Sequence, residues 1–489
     1  MKIHRINSII SSISIALFST QAFAQASNTK AEKPNIVFIM ADDMAYETIG
    51  AFKQLDIDTP NLDKLVKQGT SFKNAYNMGS YSPAVCLASR AMLVTGKSLW
   101  DAERADYKQI VENQESWPLQ MKKAGYDTYI SGKWHIESET EKHFDHSAHI
   151  RAGMPETLAS SYNRPLSPED YEKGWKPWDT NLGGFWKGGK HWSVVTADDS
   201  VDFIEKSSKK DNPFFLYLSF NAPHDPRQAP KEYIDQYPLD RVTIPESFQP
   251  EHPFANQLCG KKLRDERLMP YPRTEYAVKV NRQEYFAIIS HLDAQIGRIL
   301  TALEASGKMD NTYIFFTSDH GLAVGHHGLC GKQNLYEHSL RVPFMVVGPN
   351  IPKEKVIDTP IYYQDIAPTT IALTGSKAPD SYYYKNILPL IEDPSKPHHK
   401  VILGAYMNRQ QSIMKDGWKL IFISRANTYE LYNLNKDPSE LKDLSQDPAH
   451  ADKKQELITL LGVEHAKLNP PAPKTGNKKG KAKKGKNKK

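Results

Sequence analysis

The fold is indicated most directly by the stretch Asn35-Ile36-Val37-Phe38-Ile39-Met40-Ala41-Asp42-Asp43. Its unbroken apolar run is typical of a strand that is buried on both faces, as the strands of parallel sheets are. Similar runs occur at 126–131, 214–220, 312–317 and 342–347, and they alternate with helical stretches such as the amphipathic segment 282–305. The sequence therefore predicts an α/β fold built around a sheet.

The pattern of the sequence changes after residue 355. Short strand-like runs joined by tight turns occur at 401–406, 412–414, 418–423 and 430–432, and a last helical run covers 451–461. They predict a small antiparallel sheet with one helix. We therefore expect a main domain over 25–355, a C-terminal subdomain over 356–466 and a tail over 467–489. The segment 140–195 is rich in Pro, Gly, Trp and Tyr without periodicity, and it is predicted to be loop.

The two ends of the chain have the composition of a signal peptide and of a disordered tail. Residues 1–24 combine a basic start, a short apolar centre and the small-residue site Ala22-Phe23-Ala24, which predicts cleavage after Ala24 and a periplasmic or secreted protein. No stretch is long and apolar enough to predict a transmembrane segment. Residues 474–489 hold nine lysines and no acid, so the net charge of +6 belongs to a tail of disordered composition. Without both ends the chain is mildly acidic, and we expect no nucleic-acid partner.

Polar residues cluster where the predicted strands end. Asp42 and Asp43 follow the first strand, and the later strands are followed by Lys133 with His135, by His224, and by Asp319 with His320, beyond which lies Lys332. In open α/β sheets, ligands bind outside the carboxyl ends of the strands. Four such clusters therefore predict one shared site.

The residue types at this shared site divide by charge. The three carboxylates of Asp42, Asp43 and Asp319 would repel one another without a cation, which indicates a hard divalent metal ion. The complementary set suits an anionic group and consists of Arg90, Lys133, His135, His224 and Lys332. Together they are typical of a hydrolase that acts on oxyanion esters.

A cysteine and an arginine open a further predicted helix, in the run Cys86-Leu87-Ala88-Ser89-Arg90-Ala91-Met92-Leu93-Val94-Thr95-Gly96. A helix start suits an anion, and the arginine adds a fixed fork for an oxyanion. Taken alone, Cys86 could equally be a packed side chain or a nucleophile. The other cysteines, Cys259 and Cys330, could pair with each other, which would leave Cys86 as the odd one in an oxidising compartment.

These motifs, in this order, resemble those of the type I sulfatases, the formylglycine-dependent branch of the alkaline-phosphatase-like superfamily. The resemblance covers about 34–461 and rests on the Cys86 run, the Asp42-Asp43 pair, Gly132-Lys133-Trp134-His135, Pro223-His224 and Ser318-Asp319-His320-Gly321. It implies a large, mixed but mostly parallel sheet flanked by helices in a catalytic sulfatase domain, 25–355. The run Glu430-Leu431-Tyr432-Asn433-Leu434 with Asp437-Pro438 is similar to the family's small C-terminal subdomain.

The resemblance also implies the chemistry. Cys86 would be oxidised by a maturation enzyme to formylglycine (3-oxoalanine), and the hydrated aldehyde would attack sulfur, so that the resulting hemiacetal ester collapses to release sulfate. One calcium ion would be held by Asp42, Asp43, Cys86 as formylglycine, Asp319 and His320. The resemblance further implies that Arg90 and Lys133 hold the formylglycine and the sulfate, and that Lys332 grips a sulfate oxygen. His135 would serve the collapse of the hemiacetal, and His224 would protonate the leaving oxygen.

Two positions depart from the commonest family pattern. Ala88 stands where many relatives have proline, which bears on which maturation enzyme accepts the chain. His320 stands where many relatives have asparagine, and a histidine here resembles the iduronate-sulfatase-like members.

The expected substrate is a sulfated polysaccharide or its oligosaccharides, either algal, such as ulvan, or a glycosaminoglycan. Aromatic faces pack on sugar rings, and the predicted loop supplies Trp175, Trp178, Phe185 and Trp186. Further candidate sugar contacts, which could instead be surface residues, are His191, Arg227 and Arg409. Two alternatives stay open: a phosphate or phosphonate ester hydrolase of the same superfamily, and a carbohydrate-binding relative without catalysis.

Overall fold

The computed structural model describes Met1 and residues 32–154, 156–162 and 164–469. Apart from Met1, the predicted signal peptide lies outside these residues, as do residues 470–489 of the predicted tail. From Lys33 onward the described residues belong to one compact unit. None of the described helices has the length and apolar composition to cross a membrane. The predicted boundary between residues 355 and 356 stays a prediction.

The strands of the described residues, in chain order, are β1 Asn35–Ala41, β2 Thr70–Phe72, β3 Ala75–Tyr76, β4 Gly79–Ser80, β5 Asp127–Lys133, β6 His146–Arg151, β7 Phe214–Ser219, β8 Thr312–Ser318, β9 Arg341–Val342, β10 Phe344–Val347, β11 Lys355–Ile357, β12 Ile361–Tyr362, β13 Ile402–Tyr406, β14 Gln410–Lys415, β15 Trp418–Ile423 and β16 Thr428–Asn433.

The α-helices of the described residues are α1 Pro60–Gln68, α2 Val85–Thr95, α3 Leu99–Glu103, α4 Tyr107–Glu112, α5 Trp117–Lys123, α6 Pro168–Tyr171, α7 Trp192–Ser207, α8 Lys231–Ile234, α9 Ala255–Leu258, α10 Glu275–Ala305, α11 Glu337–Leu340, α12 Ile366–Leu373, α13 Leu388–Glu392 and α14 Ala451–Leu468.

The predicted mixed, mostly parallel sheet is confirmed. Its eight strands lie in the order β11-β2-β10-β8-β1-β7-β5-β6. β1 pairs in parallel with both β7 and β8, and β5 continues the parallel run on the far side of β7. Only β10 runs against its neighbours. The carboxyl ends of β1, β5, β7 and β8 therefore meet at one edge of the sheet.

Hydrophobic cores cover both faces of this sheet because side chains alternate along each strand. In β1, Val37 and Ile39 belong to one core, while Ile36, Phe38 and Met40 belong to the other. All of these side chains are 0% exposed, which explains the unbroken apolar run in the sequence.

The long helix α10 begins earlier than the sequence predicts. Its periodic apolar residues start near residue 282, but the helix begins at Glu275, where the Thr274 side chain accepts a hydrogen bond from the N–H of Ala277. This N-cap satisfies a backbone donor that the first turn would otherwise leave free. The apolar side of the helix, including Ile288 and Leu292, packs into the core on one face of the sheet.

Two local predictions are wrong. The segment 140–195 is not all loop, because β6 forms an edge strand and α7 starts at Trp192. β6 is mostly exposed and polar, so it lacks the apolar pattern that reveals the inner strands. The predicted strand 342–347 is split into β9 and β10 around Pro343, which cannot donate to a strand ladder.

The predicted C-terminal antiparallel sheet with one helix is confirmed. β13 to β16 pair in sequence order, and β14 and β15 are joined by Asp416-Gly417, whose φ angles of 52° and 75° are those of a type I′ turn. Leu457 and Leu461 of α14 pack on this sheet. β4, from the N-terminal half of the chain, adds a parallel strand to its edge at β13.

Gly132 is required where β5 passes β7. Its φ is +91°, and a Cβ atom at this position would lie 2.0 Å from the carbonyl oxygen of Ser219. We expect Gly132→Ala to lower the free energy of unfolding by about 3 kcal/mol, from left-handed backbone strain plus the clash. Gly125 is the matched control, because its φ is +87° and a Cβ atom added to it would meet nothing within 4 Å. Gly125→Ala should cost only about 1–2 kcal/mol. If urea denaturation showed that Gly132→Ala and Gly125→Ala lose equal free energy of unfolding, the predicted clash would be contradicted.

The buried carboxyl of Glu430 predicts a pH-dependent stability. Burial raises its pKa from 4.5 to about 7, although the Tyr336 hydroxyl donates to it at 2.6 Å. Because the folded pKa exceeds the unfolded one, the folded state binds the extra proton, and this contribution to stability is lost as pH rises from about 4.5 through 7. Between pH 5 and 8 the stability of Glu430→Gln should therefore rise by about 3 kcal/mol relative to the native protein. If thermal unfolding showed the same pH dependence of stability for Glu430→Gln and the native protein, the predicted effect of Glu430 would be refuted.

Candidate active site

A cavity of about 430 Å³ lies at the carboxyl edge of the sheet. Five of the sequence-predicted residues line it: Cys86, Lys133, His135, His224 and Lys332. The other predicted residues are at most 1% exposed and belong to the buried layer next to it: Asp42, Asp43, Arg90, Asp319 and His320. The structure thus brings together the residues that follow four different strands.

The end of β1 is held in register with the end of β8. The N–H of Asp43 donates to Asp319 Oδ1 at 3.2 Å, and the N–H of Met44 donates to Ser318 Oγ at 2.8 Å. Asp43 itself has a φ of 73°, a left-handed conformation that aspartate tolerates better than most residues. The bend lets the backbone N–H of Asp43 reach the carboxylate of Asp319.

Cys86 lies in the first turn of α2, with its Sγ 3.1 Å from Asp42 Oδ1 and 2.9 Å from Lys332 Nζ. Burial raises the pKa of the Cys86 thiol well above its ordinary value, and the carboxylates of Asp319 and Asp42 add to this effect. The unmodified side chain is therefore held as a neutral thiol, which is a weak nucleophile.

Two lysines compensate the strand-end carboxylates. Lys332 Nζ lies 2.5 Å and 2.6 Å from the two carboxylate oxygens of Asp43, and Lys133 Nζ forms an ion pair with Asp42. Although burial opposes ionisation of Asp42, Lys133 and neighbouring cations hold its pKa well below its usual range. By contrast, burial, with the neighbouring charge of Asp42, raises the pKa of Asp319 to about 6.

Arg90 ties three strand ends together from the buried layer. Its Nε donates to Asp319 Oδ2 at 3.1 Å, and its Nη1 donates to the carbonyl of Lys133 at 2.9 Å and to Ser219 Oγ at 2.6 Å. Its buried Nη2 has no hydrogen-bond partner among the residues that the structure describes and lies 3.9 Å from Asp42 Oδ1. Arg90 therefore positions the carboxylates.

His224 is oriented by the residue that follows it. Its Nδ1 lies 2.9 Å from Asp225 Oδ1, which leaves Nε2 3.7 Å from Asp43 Oδ2. Burial and Lys332 disfavour the imidazolium, but the carboxylates of Asp225, Asp43 and Asp42 outweigh them and raise the pKa of His224. Asp225 is fixed in turn by the Tyr162 hydroxyl at 2.8 Å.

The pKa of His135 is shifted in the opposite direction from that of His224. It has a left-handed φ of 54°, and Gly153 packs so closely on its ring that a Cβ there would lie 2.5 Å from it. Burial and the charges of Lys133 and Arg90 lower its pKa to about 3. The two histidines of the cavity thus differ, because His224 favours the protonated form and His135 the neutral form.

The donor set fits a metal ion. Ligand atoms of Asp42, Asp43, Cys86 and His224 lie within 4.8 Å of one another, and the Asp319 carboxylate, which is not in this group, accepts a hydrogen bond from the backbone N–H of Asp43. Three buried carboxylates supply the hard oxygen donors that calcium prefers. His320 lies outside the group of mutually close atoms, and its Nδ1 lies 3.0 Å from the carbonyl of Gly321. The predicted ligand set stays a prediction.

The candidate sugar contacts do not line the cavity at Cys86. His191 and Arg227 are 2% and 1% exposed, and both bond to protein groups, the carbonyl of Gln228 and the side chain of Asn281. Arg409 Nη1 donates to the carbonyl of Cys259. Among the aromatic residues, Phe185 is fully buried and Trp175 donates to Glu284. None of these residues lines the cavity at Cys86.

Other residues were missed by the sequence reasoning. Arg264, Asp265 and Gln333 line the cavity, and Arg264 Nη2 bonds to Asp265 Oδ1 at 2.9 Å and to Asp225 Oδ1 at 3.3 Å. Asp225 could have been inferred from its position beside His224. Arg264 follows no predicted strand, so no sequence signal marked it. The three cysteines are free in the described residues, so Cys259 and Cys330 do not pair.

The arginine at the centre of the buried layer gives a testable prediction. Arg90→Lys keeps the positive charge but loses the planar guanidinium that donates to several groups at once. It should therefore lower the free energy of unfolding by about 3–5 kcal/mol and abolish activity. Ser219→Ala removes one of the same hydrogen bonds and should cost about 1 kcal/mol. Urea denaturation of both variants measures the difference, and a loss below 1 kcal/mol for Arg90→Lys would refute the proposed role.

The described geometry agrees with comparisons to known proteins. A family model described as "Sulfatase" matches residues 34–376, and one described as "N-sulphoglucosamine sulphohydrolase, C-terminal" matches residues 325–467. The arylsulfatase of Clostridium perfringens is 30% identical, over 88% of this chain and 94% of its own length. The ulvan-active sulfatase of Formosa agariphila is 28% identical, over 96% of this chain and 87% of its own.

A solved structure of a protein with its substrate D-glucosamine-2-N,6-O-disulfate has the same fold, with a TM-score of 0.70 at 24% identity, over 90% of this chain and 99% of the other. The strand-end carboxylates, the Cys86 helix start and the full-length matches lead to one conclusion: the chain belongs to the sulfatase family of the alkaline-phosphatase-like superfamily and is a sulfuric ester hydrolase.

Proposed function

We propose that this protein is an exported sulfatase that removes sulfate from a sulfated carbohydrate through a formylglycine made from Cys86 and one calcium ion. The observation that carries the proposal is the convergence of Cys86, Lys133, His224 and Lys332 on one cavity that is backed by three buried carboxylates. This arrangement offers cations for an anionic ester and a histidine for its leaving group.

The environment of Cys86 supports its conversion. As a thiol it is kept neutral and is a weak nucleophile, although the residues around it are those of a reactive centre. Formylglycine would supply a hydrated aldehyde, in which one hydroxyl attacks sulfur and the other lets the sulfate leave without a second attack. A maturation enzyme is the proposed partner for this step, and it would have to accept Ala88 in the motif.

The buried layer supports the proposed metal. The carboxylates of Asp42, Asp43 and Asp319 would hold calcium together with residue 86 and His320. When bound, the ion would polarise a sulfate oxygen and the nucleophile. The three carboxylates are balanced by Arg90, Lys133 and Lys332, so a divalent ion would leave the site positive and complementary to an anionic ester.

The remaining roles follow from proton states and positions. The surrounding carboxylates raise the pKa of His224 and Asp225 fixes its imidazole, so His224 is suited to donate a proton to the leaving alcohol oxygen. Lys332, 2.9 Å from the Cys86 sulfur, is placed to bind a sulfate oxygen. Neutral His135 can accept a proton from a hydroxyl at residue 86 as sulfate leaves.

A carbohydrate substrate is supported by the relatives and by the cavity wall. The similar proteins include an ulvan-active sulfatase and a protein solved in complex with a disulfated glucosamine. On the wall beyond Cys86, Arg264, Asp265 and Gln333 offer hydrogen-bond donors and acceptors that suit sugar hydroxyls. We therefore place the sugar against these three residues and the sulfate against Lys332 and residue 86.

Mass spectrometry of the peptide that contains Cys86 tests the modification. Protein purified from its own host should show this peptide about 18 Da lighter than the cysteine form, because an aldehyde oxygen replaces sulfur and two hydrogens. Peptides with Cys259 and Cys330 should keep the cysteine mass. A Cys86 peptide with an intact thiol would contradict the proposal and favour the alternative of a carbohydrate-binding relative without catalysis.

Activity measurements test the reaction class. Matured protein should hydrolyse an aryl sulfate faster than an aryl phosphate or phosphonate. The reason is that a sulfate monoester carries a single negative charge, so fewer cations are needed to bind it. Cys86→Ala should abolish this activity, whereas Cys259→Ala, at a buried cysteine away from the cavity, should keep it. Chelation should lower the rate and calcium should restore it. Faster phosphoester turnover would overturn the sulfatase assignment.

A further inference from the structure

A second group of ligand-type side chains lies outside the active site. The Nε2 atom of His398 is 2.9 Å from Asp365 Oδ2, and the Nε2 atom of His399 is 3.0 Å from the same oxygen. One ligand atom from each of the three residues lies within 4.8 Å of the others. Asp365 directly precedes α12, and the two histidines lead toward β13.

The carboxylate of Asp365 is held in place by the backbone. The N–H of Tyr362 donates to Oδ2 at 3.1 Å, and the N–H of Lys385 donates to Oδ1 at 2.8 Å. The side chain is 0% exposed. It is therefore fixed in orientation before any ligand arrives, as the carboxylate of a metal site must be.

This buried carboxylate has no permanent cation. Within the described residues, its only ion-pair partners are His398 and His399, because no lysine or arginine nitrogen lies within 4.0 Å. The ammonium group of Lys385 is turned away and donates to the carbonyl of His398 at 2.7 Å. A buried charge of this kind is costly unless a cation compensates it.

We propose that Asp365, His398 and His399 form a second metal site, separate from the active site, that takes a borderline divalent ion such as Zn²⁺. One carboxylate and two imidazoles are the donors that zinc prefers, and zinc binds them at about 2.0–2.2 Å. Tetrahedral ligands would then lie roughly 3.4 Å apart. The observed nitrogen–oxygen separations of 2.9 Å and 3.0 Å need to open by only a few tenths of an ångström.

Binding would require each imidazole to present an unprotonated Nε2, with its proton on Nδ1. The His398 and His399 side chains are 5% and 4% exposed, so the site lies just below the surface, and a water molecule can complete the coordination. The ion would join the start of α12 to the segment before β13, which are 33 residues apart in sequence. It would thereby stabilise the attachment of the C-terminal sheet.

Zinc titration of the full chain tests this site. The titrations would use a Cys86→Ala background with saturating calcium, so that neither the thiol nor an empty carboxylate site competes for zinc. In this background the protein should bind one zinc ion, and its thermal midpoint should rise with zinc concentration. His398→Gln and His399→Gln should each weaken binding about 100-fold or more and remove the thermal shift.

The matched control is His149→Gln. His149 also pairs with a carboxylate, that of Asp199 at 2.9 Å, but the His149 side chain is exposed, and no second histidine among the described residues pairs with Asp199. This variant should bind zinc as its parent does. Co²⁺ gives a second readout, since its visible spectrum should show imidazole coordination that both His variants lose. Zinc affinity and thermal shift that are unchanged in His398→Gln and His399→Gln would overturn the proposal, as would no zinc binding by the parent.

Discussion

The burial of three carboxylates at one edge of the sheet is the constraint on which the rest of the site depends. Asp42, Asp43 and Asp319 follow adjacent parallel strands, and each is at most 1% exposed. Three neighbouring buried carboxyl groups cannot all ionise unless cations lie beside them. Arg90, Lys133 and Lys332 meet this need, and they come from a helix, a third strand and a distant loop. Balancing the charge therefore also draws five parts of the chain together.

The same constraint explains why substrate-facing and buried residues form two layers. Arg90 is fully buried and bonds to strand ends through Nε and Nη1, whereas Lys332 reaches both Asp43 and the sulfur of Cys86. Lys332 thus neutralises a buried carboxylate and also offers its ammonium group to a ligand in the cavity. The two histidines add proton states that are set by their surroundings, since Asp225 supports a charged His224 while burial keeps His135 neutral.

The residues around the cavity at Cys86 come from two different kinds of structure. The reacting groups come from strand ends and the start of α2, which are rigid because both faces of the sheet are packed. The wall that would meet the sugar includes Arg264 and Asp265, from an irregular segment between α9 and α10. A rigid catalytic edge with a variable wall is how one fold serves many substrates.

The sequence by itself determined the sheet class and the inner strands, and it singled out Cys86, Lys133, His135, His224 and Lys332, which the structure brings to one cavity. It could do so because buried parallel strands are continuously apolar, and because their carboxyl ends must meet. It missed β6, whose exposed side chains lack that pattern, and it offered His191 and Arg227 as possible sugar contacts or surface residues, although both are buried. Only the tertiary structure decided that Arg264 lines the cavity, that Cys259 and Cys330 stay apart, and that Asp365 meets His398 and His399. These outcomes depend on contacts between segments that no local pattern connects, because loop positions are set by what they pack against.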